Sequence, residues 1–283
     1  MPKSILISGT STGIGHALSL ELDRQGYQVF AAVRNPNDAE ALRSQASPQL
    51  TPVMLDVTLP ETISNTCIEI NKQTGGKLFC LINNAGTSIG GAMEFIPIQD
   101  FRHQMEVNLV GQLALTQACL PMLRMASGRV IFISSTNGRL ATPFNGPYSI
   151  SKAALISMAD GLRLELAPWG MSVSVFLVGS VQTPIWEKSS HTASEILRRM
   201  PPEAWNLYGR MQKHAGAYYQ QRGQRGMQAE KVAVITRRIL EKSHPQEYVL
   251  VGWDAVMIEL MTKLFPVRLR DWLVRKQMGL LKP

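Results

Sequence analysis

Short apolar runs alternate along this 283-residue chain with stretches whose apolar residues recur at helical spacing. The runs at 4–8, 28–33, 51–55, 77–82, 129–134, 172–178 and 247–252 read as strands. The stretches at 13–25, 37–45, 60–75, 100–125, 147–167 and 229–242 read as helices. In the first of these, Ile14, Ala17, Leu18 and Leu22 share a face, and Pro60 stands at the start of the third. A strand covered by helices on both faces is apolar at nearly every position, and these runs are of that kind. The alternation predicts an α/β fold: a single doubly wound Rossmann-type domain with a central parallel sheet and helices on both faces.

Two segments fall outside the alternation. Residues 185–227 hold Pro201-Pro202 and the aromatics Trp186, Trp205, Tyr208, Tyr218 and Tyr219, and read as an inserted lid. After the last strand, Val256, Leu260, Leu264 and Val267 recur at helical spacing, so residues 256–283 read as a C-terminal amphipathic tail. No repeat or low-complexity linker divides the chain, and residues 1–283 are expected to form one domain.

Composition narrows the function classes. A hydrophobic content of 45% with 18% charged residues suits a globular protein with a substantial core. No apolar run is long enough to cross a bilayer, and the N-terminus lacks a leader pattern. Cys67, Cys80 and Cys119 are odd in number and not at metal-ligand or CxxC spacing, which predicts reduced thiols and a cytoplasmic location. His16, His103, His191, His214 and His244 show no metal-ligand spacing, so no metal is expected. The net charge of +8 is partly local: Lys263, Arg268, Arg270, Arg275, Lys276 and Lys282 crowd the tail. No nucleic-acid motif accompanies it. The tail reads first as a helix docked on its own domain or a subunit, with contact to an anionic membrane surface as the alternative.

The first strand runs into Ser8-Gly9-Thr10-Ser11-Thr12-Gly13-Ile14-Gly15 and then a helix. A helix N-terminus presents unpaired N–H groups and a positive dipole end, which suit a pyrophosphate, and glycines let the backbone approach it. The spacing Gly-x3-Gly-x-Gly resembles the TGxxxGIG turn of the short-chain dehydrogenases/reductases, with Ser8 in place of the usual threonine. The resemblance implies a nicotinamide dinucleotide along Gly9, Ser11, Thr12, Gly13, Ile14 and Gly15. Arg34, just after the second strand, is the only charge in residues 27–36. An arginine there suits a ribose 2′-phosphate, where an acidic residue would suit a 2′-hydroxyl. NADP(H) is therefore expected rather than NAD(H). By the same resemblance Asp56 and Val57 contact the adenine. Asn84, Ala85 and Gly86 of the Asn83-Asn84-Ala85-Gly86 turn line the cofactor.

Tyr148 and Lys152 lie at i and i+4, on one face of a helix. A tyrosine, with a pKa of about 10, is a poor base at neutral pH, and a nearby cation is expected to lower that value. Tyr148 would then exchange the hydroxyl proton of a substrate. Ser135, at the carboxyl end of the fifth strand, is placed to donate to a carbonyl oxygen. Asn108 is a polar amide within an apolar helix and needs a partner, such as a carbonyl or water near Lys152. Together these resemble the Asn-Ser-Tyr-Lys tetrad of the same family, and the likeness covers about residues 4–184. One departure is Val178, where the family has proline before the loop that clasps the nicotinamide. A looser loop is expected, with Val181 and Thr183 still making the contact.

The resemblance implies an NADP(H)-dependent oxidoreductase that moves a hydride between nicotinamide and a carbonyl or alcohol, with Tyr148 as general acid/base. The lid aromatics suggest a lipophilic small-molecule substrate. Pro184-Ile185-Trp186, Leu207-Tyr208-Gly209, Gly252-Trp253-Asp254-Ala255, Phe265-Pro266 and Asp271-Trp272-Leu273 are similar to the retinol and hydroxysteroid dehydrogenase branch. That points to a steroid-, retinoid- or fatty-acyl-like compound. The alternatives are a 3-ketoacyl-thioester reductase and a non-catalytic NADP(H)-binding sensor. A homo-oligomer, joined through residues 100–125 and 147–167, is a further implication of the family.

Overall fold

The computed structural model describes residues 2–186, 195–196, 198–199 and 201–280. His191, Lys282 and part of the expected lid and tail lie outside the described residues. The strands are β1 (Ser4–Ile7), β2 (Gln28–Val33), β3 (Leu50–Met54), β4 (Cys80–Asn83), β5 (Arg129–Ser135), β6 (Ser172–Val178), β7 (Val181–Gln182), β8 (Met227–Gln228) and β9 (Tyr248–Val251). Seven of them pair in parallel in the order β3-β2-β1-β4-β5-β6-β9, while β7 and β8 form a separate two-stranded sheet. The helices are α1 (Gly13–Arg24), α2 (Pro36–Arg43), α3 (Pro60–Thr74), α4 (Ile98–Met105), α5 (Gly111–Met125), α6 (Gly146–Leu166), α7 (Pro202–Arg225), α8 (Ala229–Leu240), α9 (Trp253–Leu264) and α10 (Val267–Gln277).

The apolar strands separate two core layers. In β1, Ile5 and Ile7 face one side with Leu18 and Leu22 of α1 and Val232 and Ile239 of α8. Leu6 faces the other side with Ile70 of α3, Leu115 of α5 and Leu155 of α6. Successive strand residues point to opposite faces, so three consecutive apolar residues serve both layers. The sheet is the doubly wound parallel one expected from the alternation. The chain winds outward in opposite directions from β1 and β4, and a crevice opens above their carboxyl ends.

Three elements differ from the sequence reading. The helix expected over 100–125 begins at Ile98 and passes through a wide π-type turn at Glu106–Val110. Such turns reposition side chains within an otherwise continuous helix. Residues 202–225, for which the sequence suggested no element, form the 24-residue helix α7, with Pro202 tolerated in its first turn. The tail is two helices rather than one. Pro266 has no N–H to continue α9, and it holds Phe265 extended, so the chain breaks there and restarts as α10. The stripe, expected to dock on the chain's own domain or on a subunit, does not dock on the domain: Leu260 is 47%, Leu264 71% and Val267 59% exposed.

Candidate active site

A cleft of about 1420 Å³ lies along the carboxyl ends of the strands. Its floor is the turn between β1 and α1. Gly9 adopts φ +70°, a left-handed conformation, and a Cβ there would stand 2.8 Å from the Ala85 Cα. A Cβ on Gly15 would stand 2.2 Å from the Gly9 carbonyl oxygen. The turn is pinned from β4: Asn84 Nδ2 donates to the carbonyls of Ser8 and Gly9, at 2.9 Å each. The Ser8 hydroxyl accepts from the backbone N–H groups of Asn84 and Ala85, at 3.0 Å each. Ser8 therefore does structural work that the motif reading passed over, and serine supplies the needed oxygen as well as threonine would. No side chain caps the first turn of α1, and no acidic residue stands in it. Its dipole end opens onto the cleft, as binding a pyrophosphate requires.

Further along, Arg34 follows β2 with its side chain 71% exposed, 3.8 Å from Asp56. Asp56 Oδ1 accepts from the Thr58 N–H and hydroxyl, at 2.9 and 2.7 Å. Burial would raise its carboxyl, but the Thr58 groups and the Arg34 guanidinium outweigh that and hold it below its ordinary value. One oxygen is thus engaged in a turn, and the other faces Arg34. Val57, Ala85 and Gly86 line the same stretch.

Ser135, Tyr148 and Lys152 meet at the middle of the cleft. Ser135 ends β5, while Tyr148 and Lys152 sit one turn apart on α6. Tyr148 and Ser135 share a hydrogen bond. Lys152 Nζ lies 5.7 Å from the centre of the Tyr148 ring and donates to the Ile133 carbonyl at 2.8 Å. The expected lowering of the tyrosine pKa is not found. Burial pushes the Tyr148 phenol up to about 12, and the Ser135 hydrogen bond recovers only part of that. Burial also pulls Lys152 down to about 8. The physical reason is placement: the ammonium lies over the ring and bonds a carbonyl instead of facing the phenol oxygen.

Asn108 and Gly15 are the two expected site residues that do not line the cleft. Asn108 is fully buried in the π-type turn. Its Oδ1 accepts from Thr87 N–H at 2.8 Å; its Nδ2 donates to the Thr87 carbonyl at 2.8 Å and to Ser151 Oγ at 3.0 Å. A carbonyl partner is thus present, that of Thr87, with Ser151 beside Lys152 as the second, and Asn108 fastens the loop after β4 to α6.

Val178 is buried and paired on both sides, to Ser135 of β5 and Val251 of β9. The loop after it is held by groups that the motif reading did not single out. The Ser180 N–H donates to Asp254 Oδ2 at 2.7 Å, and Arg222 Nη2 donates to the same oxygen at 2.8 Å. Arg222 Nε also donates to Ser180 Oγ at 2.9 Å. This clasp joins the loop to α7 and α9. Val181 and Thr183 follow on the cleft wall. The Thr183 methyl carbon would be 3.0 Å from a Cβ on Gly13, which shows how closely the loop meets the glycine turn.

The remaining wall comes from α7 and the loop before α6. The Tyr219 hydroxyl donates to the Pro143 carbonyl at 2.8 Å and lies 2.7 Å from Thr142 Oγ1. Phe144, Ile185 and Trp186 add apolar surface, and Trp186 Nε1 donates to the Val181 carbonyl at 2.7 Å. Among the described residues, no group of three or more His, Cys, Asp or Glu is placed to hold a metal.

A glycine turn at the sheet's switch point, a serine at the end of β5 and a Tyr-Lys pair on the next helix define a class of dinucleotide-dependent enzyme. The model of the short chain dehydrogenase family matches residues 3–194. The chain belongs to this family, whose members are oxidoreductases. It is 33% identical over 274 residues to retinol dehydrogenase 5 of Mus musculus, covering 94% of this chain and 86% of that protein. It is 32% identical over 282 residues to 17-beta-hydroxysteroid dehydrogenase type 6 of Bos taurus, covering 97% and 88%. The fold is also that of a short chain dehydrogenase from Burkholderia cenocepacia solved in complex with NADP, at a TM-score of 0.73 and 24% identity, covering 100% of this chain and 98% of that one.

Proposed function

We propose that this protein is an NADP(H)-dependent oxidoreductase that interconverts a carbonyl and an alcohol on a lipophilic small molecule. The observation that carries the reading is the meeting of Ser135, Tyr148 and Lys152 in one cleft, between an uncapped helix N-terminus and a wall rich in aromatic side chains. The cradle fits a dinucleotide: any side chain at Gly9 or Gly15 would fill or distort it. In this reading Gly9, Ser11, Thr12, Gly13, Ile14 and Gly15 hold the pyrophosphate, and Arg34 takes the 2′-phosphate. Asp56 and Val57 flank the adenine, Asn84, Ala85 and Gly86 line the cofactor, and Val181 and Thr183 lie at the nicotinamide. When bound, the nicotinamide donates or accepts a hydride.

The chain supplies the proton. With its pKa near 12, Tyr148 keeps its proton at neutral pH and is loaded as the acid for carbonyl reduction. Ser135 shares the substrate oxygen and orients the phenol. Lys152 positions the ribose and offsets charge that develops on the tyrosine. Asn108 acts from behind, by holding the Thr87 loop against α6. The retinol and hydroxysteroid names of the relatives support a lipophilic substrate.

Residues 1–283 act as one unit in this reading, with α7 of the lid segment over the substrate side. No helix among the described residues is long and apolar enough to cross a membrane. The exposed Trp253, Met257, Leu260 and Leu264 on one face of α9, with Lys263 and the basic side chains of α10, support peripheral contact with an anionic membrane by a cytoplasmic enzyme. Exposed Met125, Ile150 and Leu164 on α5 and α6 support a homo-oligomer.

The test is a fluorescence titration with NADPH and NADH, followed by turnover on lipophilic ketones by the parent and by Tyr148→Phe. The substitution should cut turnover by about 100-fold or more and leave NADPH binding within a few-fold. Turnover by the variant within a few-fold of the parent would remove Tyr148 from the proton-transfer role.

A further inference from the structure

A second groove, of about 610 Å³, runs between α3 and α5, and none of its described lining residues lines the cleft. Cys67 of α3 borders this groove, and Cys119 of α5 stands behind it, fully buried. Their sulfur atoms are 3.8 Å apart and share a hydrogen bond. Helical periodicity builds the contact: Ile63 and Ile70 bury one face of α3, and Leu115, Cys119 and Leu123 bury one face of α5. Cys67 sits at the rim of the α3 face, partly buried against the same core layer.

The surroundings set the chemistry of the pair. Ile68, Ala114 and Ala118 give the groove apolar surface, Ser64, Asn71 and Gln117 are its uncharged polar groups, and no described lining residue carries a charge. The groove therefore suits a neutral reagent and offers an ionic one no counter-charge. The hydrogen bond with Cys119 holds the Cys67 thiol below its ordinary value, although burial opposes it. The same hydrogen bond, together with burial, pushes Cys119 up. Cys67 is thus both the reachable thiol and the more acidic one, and the thiolate is the reactive form. Cys80 of β4 faces the other core layer, and burial pushes its thiol up. It serves as an internal control.

We propose that Cys67 and Cys119 are a modification site, a thiol pair that a neutral hydroperoxide converts to a disulfide fastening α3 to α5. The Cys67 thiolate attacks the peroxide: an S–O bond forms, the O–O bond breaks, and the leaving oxygen takes the proton that Cys67 gave up, departing as an alcohol or water. The Cys119 thiol then attacks the sulfenic sulfur. The S–S bond forms, the S–O bond breaks, and the Cys119 proton leaves with the hydroxyl as water. The two thiols are oxidised by two electrons, and the hydroperoxide is reduced to an alcohol, or water, and one further water. The sulfurs must close from 3.8 Å to about 2.05 Å. Pro121 lies within α5 and cannot donate to the Gln117 carbonyl, so the helix lacks one of its bonds beside Cys119 and yields there most easily. The cross-link would close a loop over 52 residues that carries β4, the Asn84-Ala85-Gly86 turn and Asn108.

The experiment treats the reduced full-length protein with hydrogen peroxide, quenches it at low pH and counts thiols in denaturant. The three free thiols should fall to one. Peptide mapping should find Cys67 joined to Cys119 within one chain and Cys80 still alkylated. In Cys119→Ala the reaction should stop at a Cys67 sulfenic acid, which dimedone captures. In Cys67→Ala, dimedone should label Cys119 at least about tenfold more slowly, because that sulfur does not border the groove and its thiol is the less acidic one. The oxidised parent should melt about 5 °C above the reduced protein, as closing so long a loop predicts, and a dithiol should reverse the rise. Neither variant should show it. Unchanged circular dichroism reports that the variants fold; if either does not, the thiol count and peptide map of the parent still decide. Survival of all three thiols, a disulfide that includes Cys80 or joins two chains, or over-oxidised Cys67 beside a free Cys119 would each overturn the proposal. So would labelling of Cys119 as fast as that of Cys67, or a disulfide that leaves the melting temperature unchanged.

Discussion

Replacing Gly15 with alanine adds one carbon, and its cost can be worked from the contacts. The new Cβ would stand 2.2 Å from the Gly9 carbonyl oxygen and 2.5 Å from Asn84 Nδ2. Both distances are about 1 Å inside ordinary contact. Neither neighbour yields cheaply. The Gly9 oxygen belongs to a turn already held at φ +70°, and Asn84 Nδ2 is committed at 2.9 Å to two carbonyls. Relief therefore requires the turn to open and Asn84 to let go. Two neutral hydrogen bonds at about 1 kcal/mol each, with an overpacking cost of about 1–3 kcal/mol, predict a loss of about 3–5 kcal/mol. The comparison is Gly161→Ala on α6, where an added Cβ meets nothing within 4 Å. That change should stabilise the protein by about 0.5–1 kcal/mol through helix propensity alone. Urea unfolding reads both, and NADPH titration should show a large loss for Gly15→Ala only. A Gly15→Ala protein within 1 kcal/mol of the parent and with unchanged NADPH affinity would refute the account of the cradle.

Arg34→Ala should weaken NADPH by about 10- to 100-fold, the worth of hydrogen bonds to a charged group, and leave NADH nearly unchanged. Equal losses by fluorescence titration would take Arg34 away from the 2′-phosphate. Asp254→Ala should release Ser180 and Arg222 and raise the Kd for NADPH by about three- to tenfold. The effect is modest because both members of the ion pair are partly exposed, the arginine side chain 24% and the aspartate 34%. An unchanged Kd would mean that the clasp does not position the loop. Lys152 gives a pH signature. Its folded pKa of about 8 lies below the ordinary 10.5, so between those values the unfolded chain binds the extra proton and stability rises with pH. Lys152→Met lacks this component. The stability of the parent relative to the variant should therefore grow with pH in that window, by at most about 1.4 kcal/mol per unit. Parallel pH curves for the two proteins would show that Lys152 is not buried as described.

The local patterns were informative where chemistry depends on neighbours in the chain. The glycine turn, the Tyr148/Lys152 pair and Ser135 at a strand end are legible because strand and helix periods place them before any packing is known. The clasp was not legible, since Asp254 is 74 residues from Ser180 and 32 from Arg222. The thiol pair was not legible either: Cys67 and Cys119 are 52 residues apart, and their contact exists only once α3 packs on α5. The pKa expectation for Tyr148 failed for the same kind of reason. Spacing brings the lysine to the right face, but burial and the direction of Nζ set the sign of the shift.

Short-range order thus specified the alternation of strands and helices, the parallel sheet it implies, the glycine turn and the placing of Ser135, Tyr148 and Lys152 on elements that meet at the cleft. These follow from backbone periodicity and from side-chain types a few residues apart. Long-range packing settled the rest: the π-type turn that aims Asn108 at Thr87, the break at Pro266 that leaves the tail facing outward, and the joining of α7, α9 and the cofactor loop through Arg222 and Asp254. Burial, hydrogen-bond partners and electrostatic shifts depend on which distant atoms fill the space around a group, and no local window of the chain contains that information.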